Sequence, residues 1–319
     1  MIKSNYDFLG HYIFYLCNRG RRSFLVDTKI ATLLTVVRLG SYTKAAEELN
    51  LTQPAVSHHI RQLEEEFGIK VFQKGRKALV LTAEGEILVK YASRAMAIYH
   101  TARQALEDYR TQATHLNIGT THTVGENLVS QVLALYCNEH PDTHINIVTD
   151  SINNIYNKLG LYELDLAIVE GVLPSGKFQS VLLDTDYLCL IVSPQHKFAR
   201  RPTILLSELK KEKLILRPAT AGTRMLFENL LMTQGESIRN FNVMMELDNV
   251  SMIKNLVSMN LGVSVIAHSA IREEEREGRL VVVPIENAKM TRDINMVYQP
   301  DFTHHQVLEE LRRIYNSVY

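Results

Sequence analysis

From Val26 onward apolar positions recur at helical intervals. Ile30, Leu33, Leu34 and Val37 lie three and four residues apart, and Gly40 ends the run as a C-terminal cap does. Ser41 is the expected N-cap of a second, short helix that turns Ala45, Ala46 and Leu49 inward; such small side chains let another helix approach closely. Asn50, tolerant of left-handed geometry, closes it. Thr52 then caps a third helix with Gln53 and Pro54 in its first turn, where the missing proline N–H costs nothing. Val56, Ile60 and Leu63 fall at i, i+4 and i+7 and point to a core, while Gln53, Ser57, His58 and Arg61 line the other side. Two helices joined by a tight turn, the second presenting hydrogen-bonding side chains, form the helix-turn-helix that enters a major groove. In such a groove Gln pairs with adenine, and Arg reaches guanine or phosphate. The stretch Ile69 to Leu81 alternates on both sides of Gly75, which predicts a hairpin, or wing, with Lys74, Arg76 and Lys77 at its tip, cations suited to phosphate or minor-groove contact.

Thr82, with Glu84 and Glu86 behind it, marks the start of a long helix whose positive dipole end meets acidic residues. Leu88, Ala92, Ala95, Tyr99, Ala102, Leu106 and Tyr109 follow at alternating gaps of four and three, a 3.5-residue period rich in alanine. That seam predicts close association with a second helix, most simply the same helix of another subunit; the alternative is an amphipathic helix lying on its own domain.

After Leu116 the pattern changes to short apolar strands between helices. Leu116 to Gly119, Ile145 to Thr149, Leu164 to Val169, Phe178 to Leu183 and Tyr187 to Val192 read as strands, with a helix from Leu128 to Tyr136. A second set follows at Leu214 to Leu216, Val243 to Leu247, Val263 to Ile266 and Leu280 to Val283, with helices after Gly222 and from Asn249. Ile294 to Tyr298 is a last strand, and Val307, Leu308, Leu311 and Ile314 form one face of a closing helix. Alternation of this kind predicts open α/β sheets, whose ligands bind beyond the carboxyl ends of the strands.

The charge distribution sharpens this division. The 319 residues carry equal numbers of basic and acidic side chains, 35 of each, which excludes a uniformly basic nucleic-acid coat. From Met1 to Arg110, however, sixteen basic residues face eleven acidic ones, an excess of five positive charges that the remainder of the chain offsets. A phosphate-binding N-terminal module on a mildly acidic body is the expected arrangement. Cys17, Cys137 and Cys189 show no Cys-x-x-Cys spacing, so neither a zinc ribbon nor a disulfide framework is expected, and the adjacent pairs His58-His59 and His304-His305 lack the spacing of a metal site. The apolar run Phe8 to Cys17 falls short of the roughly 20 residues of a membrane helix. It also lacks the basic start and small-residue cleavage site of a signal peptide, so the expectation is a cytoplasmic protein without membrane contact. No nucleophile elbow, glycine-rich nucleotide turn or acid/base cluster is visible, and only 15 glycines are present, which argues against an enzyme. A solute-binding or sensory protein without DNA activity would explain the later lobes but leave Thr52 to Lys77 unused.

The run Gly40-Ser41-Tyr42-Thr43-Lys44-Ala45-Ala46-Glu47-Glu48-Leu49-Asn50-Leu51-Thr52-Gln53-Pro54-Ala55-Val56-Ser57-His58-His59-Ile60-Arg61-Gln62-Leu63-Glu64 resembles the N-terminal signature of LysR-type bacterial transcriptional regulators. The likeness continues through Phe67-Gly68, Val71-Phe72 and Leu81-Thr82-Ala83-Glu84-Gly85, and His58 stands where the family often has Arg. The two later α/β sets resemble periplasmic binding proteins and the effector domain of the same regulators. The resemblance implies an α/β protein with an N-terminal winged helix-turn-helix (26–81), a linker and dimerisation helix (82–112) and a two-lobed effector domain (113–319). Lobe I is expected at 113–192 and 289–319, lobe II at 193–288.

The implied DNA contacts are Thr43, Lys44, Thr52, Gln53, Pro54, Ser57, His58, Arg61, Lys74, Arg76 and Lys77, and the implied dimer seam is Leu88, Ala92, Ala95, Tyr99, Ala102 and Leu106. The expected partners are double-stranded promoter DNA, a second copy of the chain in a homodimer or homotetramer, a small-molecule effector and RNA polymerase; no cofactor or metal is expected. Gly119-Thr120-Thr121-His122-Thr123 leaves a strand and enters a helix, where hydroxyls and free N–H groups suit an anion. It resembles the sulfate-binding segment of the cysteine-biosynthesis regulator of the family, with Val124 departing from that pattern. With Ser151 after the second strand and Thr220, Gly222 and Thr223 in the matching turn of the other lobe, Thr120, Thr121, His122 and Thr123 form the expected effector set, for a small oxyanion or carboxylate. Met1 to Leu25 precedes the point where the family's first helix starts; an initiation near Val26 is favoured over an added N-terminal extension.

Overall fold

The computed structural model describes residues 27–73, 79–174 and 176–319. The leading segment and the wing-tip residues Lys74, Arg76 and Lys77 lie outside the described residues. Two compact units divide the chain: residues up to His115 with Tyr156–Leu164, and Leu116–Ile155 with Asp165–Tyr319.

In the first unit, α1 (Thr28–Leu39), α2 (Tyr42–Glu48) and α3 (Gln53–Phe67) form where capping residues start and stop them. The Asp27 carboxylate accepts from the Lys29 amide, Ser41 Oγ from Lys44 N and Thr52 Oγ1 from Ala55 N. Gly40 and Gly68 end α1 and α3 in left-handed backbone, at φ 62° and 67°. Leu33, Leu34 and Val36 of α1, Ala45 and Ala46 of α2, and Val56, Ile60 and Leu63 of α3 pack into one core with Val71 and Leu81. The base of the wing is closed by an antiparallel bridge between Phe72 and Leu81 and by Gln73 N donating to Val80 O.

Next comes α4 (Ala83–Thr111), 29 residues long. Thr82 Oγ1 accepts from Gly85 N at 2.9 Å and donates to Lys70 O, tying the helix start to the wing strand. A Cβ on Gly85 would stand 2.2 Å from Val71 O, so only glycine permits this approach.

The second unit has two cores on a chain of strands ordered β2-β1-β3-β9-β4-β7, with β8 on β4 and a separate β5-β6 pair. Here β1 (Thr114–Thr120), β2 (Thr143–Thr149) and β3 (Leu166–Glu170) serve the first lobe, with the helix α5 (Ser130–Glu139) and the closing helix α9 (His305–Val318); α6 (Ile152–Gly160) follows β2 in the chain. The second lobe contains β5 (Lys213–Leu216), α7 (Gly222–Thr233), β6 (Asn242–Glu246), α8 (Val250–Ser258), β7 (Ser264–Ala267) and β8 (Val281–Val283). Two strands run through both lobes: β4 (Gln179–Val192) and β9 (Thr291–Tyr298), antiparallel to one another.

Four differences from the sequence pattern have physical causes. The two strands expected at 178–183 and 187–192 are one strand of 14 residues, because a bulge between Leu182 and Asp184 absorbs the irregularity. The second core therefore begins at Leu188, not at 193. The helix expected from Leu128 begins at His122 and runs through a π-helical turn at Gly125–Val129 into α5; Gly125 sits there because a Cβ would approach Thr120 Cγ2 to 2.8 Å. Finally, Ala92 does not belong to an outward seam. It is 4% exposed in the core of its own unit, against which Leu88 and Tyr99 also pack, so the alternative of a helix lying on its own domain holds for that side of α4.

Candidate DNA-reading face and effector site

Burial of Val56, Ile60 and Leu63 fixes the rotation of α3, and its opposite side is presented outward. Thr52, Gln53, Pro54, His58 and Arg61 are exposed, with Thr43 and Lys44 exposed on α2. Ser57 is half-buried, and its hydroxyl accepts from Gln53 Nε2 at 2.9 Å, so the two side chains stand together one helical turn apart. His59, on the other flank, faces inward; its Nδ1 bonds Thr32 Oγ1 at 2.9 Å, and burial holds its imidazole below the ordinary histidine value. The polar side of α3 thus offers donors and acceptors without a competing core role.

Along α4 a different stripe is outward. Tyr91, Ala95, Ile98, Ala102, Ala105 and Tyr109 are all exposed and follow at gaps of four, three, four, three and four. Tyr91 is 59%, Ile98 51% and Tyr109 86% exposed, large apolar surface for a helix flank. Of the expected seam, Ala95, Ala102 and Leu106 are exposed; Leu88, Ala92 and Tyr99 face the unit's own core.

In the second unit, two expected threonines meet in one buried network. Thr121, at the end of β1, donates its hydroxyl to Glu170 Oε2. Arg292 on β9 donates from Nη1 to Glu170 Oε1 at 3.1 Å and to Thr223 Oγ1, at the start of α7, at 3.5 Å. Its Nη2 donates to Asp186 Oδ2 at 3.1 Å, and Asp186 and Arg292 are direct cross-strand partners of β4 and β9. Asp186 also accepts from Ser269 N at 3.2 Å and Ser269 Oγ at 2.8 Å. The Arg292, Glu170 and Asp186 side chains are each more than nine-tenths buried, and Arg292 Nε has no hydrogen-bond partner. One guanidinium thus faces two carboxylates, joining elements of the first lobe to Thr223 and Ser269 of the second.

The other expected effector residues stand apart from these bonds. Thr120 is buried and donates to Thr121 O; Thr123 is buried; Ser151 Oγ accepts from Asn154 N at 3.4 Å as a helix cap. Thr220 and Gly222 are exposed and His122 half-buried. Sequence reasoning missed Glu170, Asp186, Arg292 and Ser269. A signal existed for three of them: Arg292 is in phase with buried Ile294 and Met296, Asp186 with Leu188 and Leu190, and Glu170 with Leu166 and Ile168. A charge on the buried face of a strand asks for a partner.

Both described thiols are pushed up: Cys189 by burial, with the nearby Asp186 and Glu275 charges adding to it, and Cys137 by burial. That is the reverse of what a reactive thiolate needs. Among the described residues no helix is long and apolar enough to cross a membrane, and no group of three or more His, Cys, Asp or Glu residues could hold a metal ion.

A winged helix-turn-helix, a long helix and two α/β lobes sharing crossover strands together define a ligand-responsive DNA-binding regulator. Residues 28–86 match the bacterial regulatory helix-turn-helix protein, lysR family, and residues 110–318 match the LysR substrate binding domain. The chain belongs to the LysR family of transcriptional regulators, which are not enzymes. A probable RuBisCO transcriptional regulator of Thalassiosira pseudonana is 30% identical over 267 residues, spanning 82% of this chain and 87% of the relative. Full-length CbnR complexed with its target DNA has the same fold at a TM-score of 0.65 and 15% identity, covering 92% of this chain and 99% of that one. The regulatory domain of Synechocystis PCC6803 CcmR in complex with 2-PG aligns at a TM-score of 0.57 and 18% identity, over 63% of this chain and 97% of that one.

Proposed function

We propose that this regulator binds promoter DNA in the cytoplasm as a twofold dimer, itself assembling into a tetramer, and that a small anionic metabolite held between the two lobes of the effector domain controls its contact with DNA and with RNA polymerase. The observation that carries the DNA step is the outward side of α3, where Gln53, Ser57, His58 and Arg61 stand opposite buried Val56, Ile60 and Leu63. Thr43, Lys44, Thr52 and Pro54 extend that surface, and Lys74, Arg76 and Lys77 of the wing complete the proposed DNA contacts.

The outward stripe of α4 supports dimerisation through Tyr91, Ala95, Ile98 and Ala102, since its heptad spacing and exposed apolar side chains fit a second copy of the helix. Thr120, Thr121, His122, Thr123, Ser151, Thr220, Gly222 and Thr223 form the proposed effector site, supported by the meeting of Thr121 and Thr223 in one network. The name of the relatives makes RuBisCO gene promoters the first DNA to test, and the CcmR domain of similar fold holds 2-PG.

Genomic footprinting with and without metabolite pools tests the whole reading. Discrete paired half-sites whose protection changes with the pools are expected. Protection that is absent, or indifferent to every pool, overturns it.

A further inference from the structure

A feature of the buried network bears on how the proposed effector enters. The hydroxyl of Thr121, expected to greet an anion, already has one: the Glu170 carboxylate, which is also held by Arg292. We propose that Glu170 is a built-in occupant of the effector site, holding on Thr121 and Arg292 the place that an effector's carboxylate or phosphate takes, so that the effector binds by displacing it. The inference rests on the anionic effector proposed above and makes Glu170 the residue that sets the affinity for it.

Four observations converge. First, Glu170 is the last residue of β3, and Gly171 follows at φ 110°, a backbone geometry that side chains other than glycine's rarely adopt. The carboxylate therefore hangs at the end of the ladder, where Glu170 is paired with Ile294 and Gly171 N bonds Asp293 O; it leaves by rotation of its own side chain, with the ladder intact. Second, Arg292 does not depend on Glu170 for its position: it is paired across the strands with Asp186, which Ser269 holds by both its amide and its hydroxyl. Its guanidinium stays when Glu170 leaves. Third, Arg292 Nε is buried and unpartnered, a reserve donor for a ligand oxygen that Glu170 does not reach.

Fourth, the charges count. Two carboxylates and one guanidinium leave the network with an excess negative charge, which opposes entry of any further anion; exchanging Glu170 for a monoanion keeps the balance unchanged. Arg292 also touches Thr223 of the second lobe, so whatever replaces Glu170 sits where the two lobes meet.

The test measures binding of inorganic phosphate and, separately, of acetate to the full-length protein by calorimetry, with far-UV circular dichroism to verify folding. Glu170→Gln removes the competing charge and is expected to bind phosphate at least tenfold more tightly than wild type. Glu170→Asp, which keeps the charge but withdraws it from Thr121, is expected to give a smaller gain. Arg292→Gln placed on Glu170→Gln is expected to lose the gain. Tighter binding of phosphate alone assigns the site to phosphate esters; tighter binding of both anions admits carboxylates. A gain for acetate alone assigns it to carboxylates, and affinities of folded Glu170→Gln and Glu170→Asp for both anions within twofold of wild type, or weaker, overturn the proposal, since a merely structural carboxylate would lower stability without creating an anion site. Parallel footprinting of wild type separates the two ideas: a metabolite-responsive wild type with no gain in the variants sinks only the displacement, whereas a gain with unresponsive DNA binding sinks only the regulatory reading.

Discussion

Two contacts show how single atoms fix the geometry of the DNA-binding module. Gly85 lies in the first turn of α4 with no room for a methyl group, because Val71 O would stand 2.2 Å from its Cβ. Alanine is the better helix former, yet Gly85→Ala is expected to destabilise the protein by about 1–3 kcal/mol, the usual range for overpacking, as read from a lowered urea midpoint at unchanged slope. A midpoint equal to or above wild type would show that the wing strand yields. On the outward side of α3, Gln53 Nε2 donates to Ser57 Oγ, so each side chain orients the other. Ser57→Ala and Gln53→Ala are each expected to weaken specific DNA binding by about 1–3 kcal/mol in fluorescence anisotropy while leaving non-specific binding unchanged. Equal losses on random duplex would instead assign these residues to phosphate contact. The capping residues that shape this module, Ser41, Thr52 and Thr82, were legible because a cap acts through its immediate neighbours. Arg292 was not, because its partners Glu170 and Asp186 lie more than a hundred positions earlier in the chain.

Among the elements, α4 has the extent and start that its sequence pattern predicts, but a different rotation. Its two flanks both carry a 4-3 pattern: Leu88, Ala92 and Tyr99 face the core with Val89 and Met96, while Tyr91, Ala95, Ile98, Ala102, Ala105 and Tyr109 face outward. Periodicity gives the spacing of a stripe and cannot by itself say which stripe a module covers; that is decided by the packing of α1 to α3. Substitution separates them. Ala95→Glu with Ala102→Glu is expected to abolish dimers in analytical ultracentrifugation with the melting temperature of the isolated chain preserved, whereas Ala92→Glu buries a charge and is expected to unfold the DNA-binding module. Unchanged dimer mass in the double variant would rule out the outward stripe as the seam. The continuous helix from His122 is not legible for a similar reason: Gly125 stands in it because of the neighbouring Thr120, a contact visible only once β1 is in place.

At the scale of the whole molecule, most of the architecture was legible because the first module repeats capped helices and the lobes alternate strands with helices; the lobe boundary was not, since β4 passes through both cores as one strand. The same scale governs stability against pH, to which one buried group contributes with a definite sign. Glu163 is buried with neither carboxyl oxygen hydrogen-bonded, and burial raises its pKa to about 7 although the charge of Lys158 works the other way. The folded protein therefore holds a proton on Glu163 that the unfolded chain releases near the ordinary value of about 4.3. Its contribution to stability is fully present below that value, falls as pH rises toward 7, and is gone above it; a rise of this size corresponds to roughly 3–4 kcal/mol. His59 and His100 act in the opposite direction, since burial lowers both and acid must charge them on unfolding. The raw pH profile thus mixes two slopes, and the difference between wild type and Glu163→Gln isolates one. That difference, from urea unfolding between pH 5 and 8, is expected to favour the glutamine variant progressively as pH rises and to level off above about 7.5. A difference that stays constant across the range would mean that Glu163 is ionised in the fold and solvated there despite its burial.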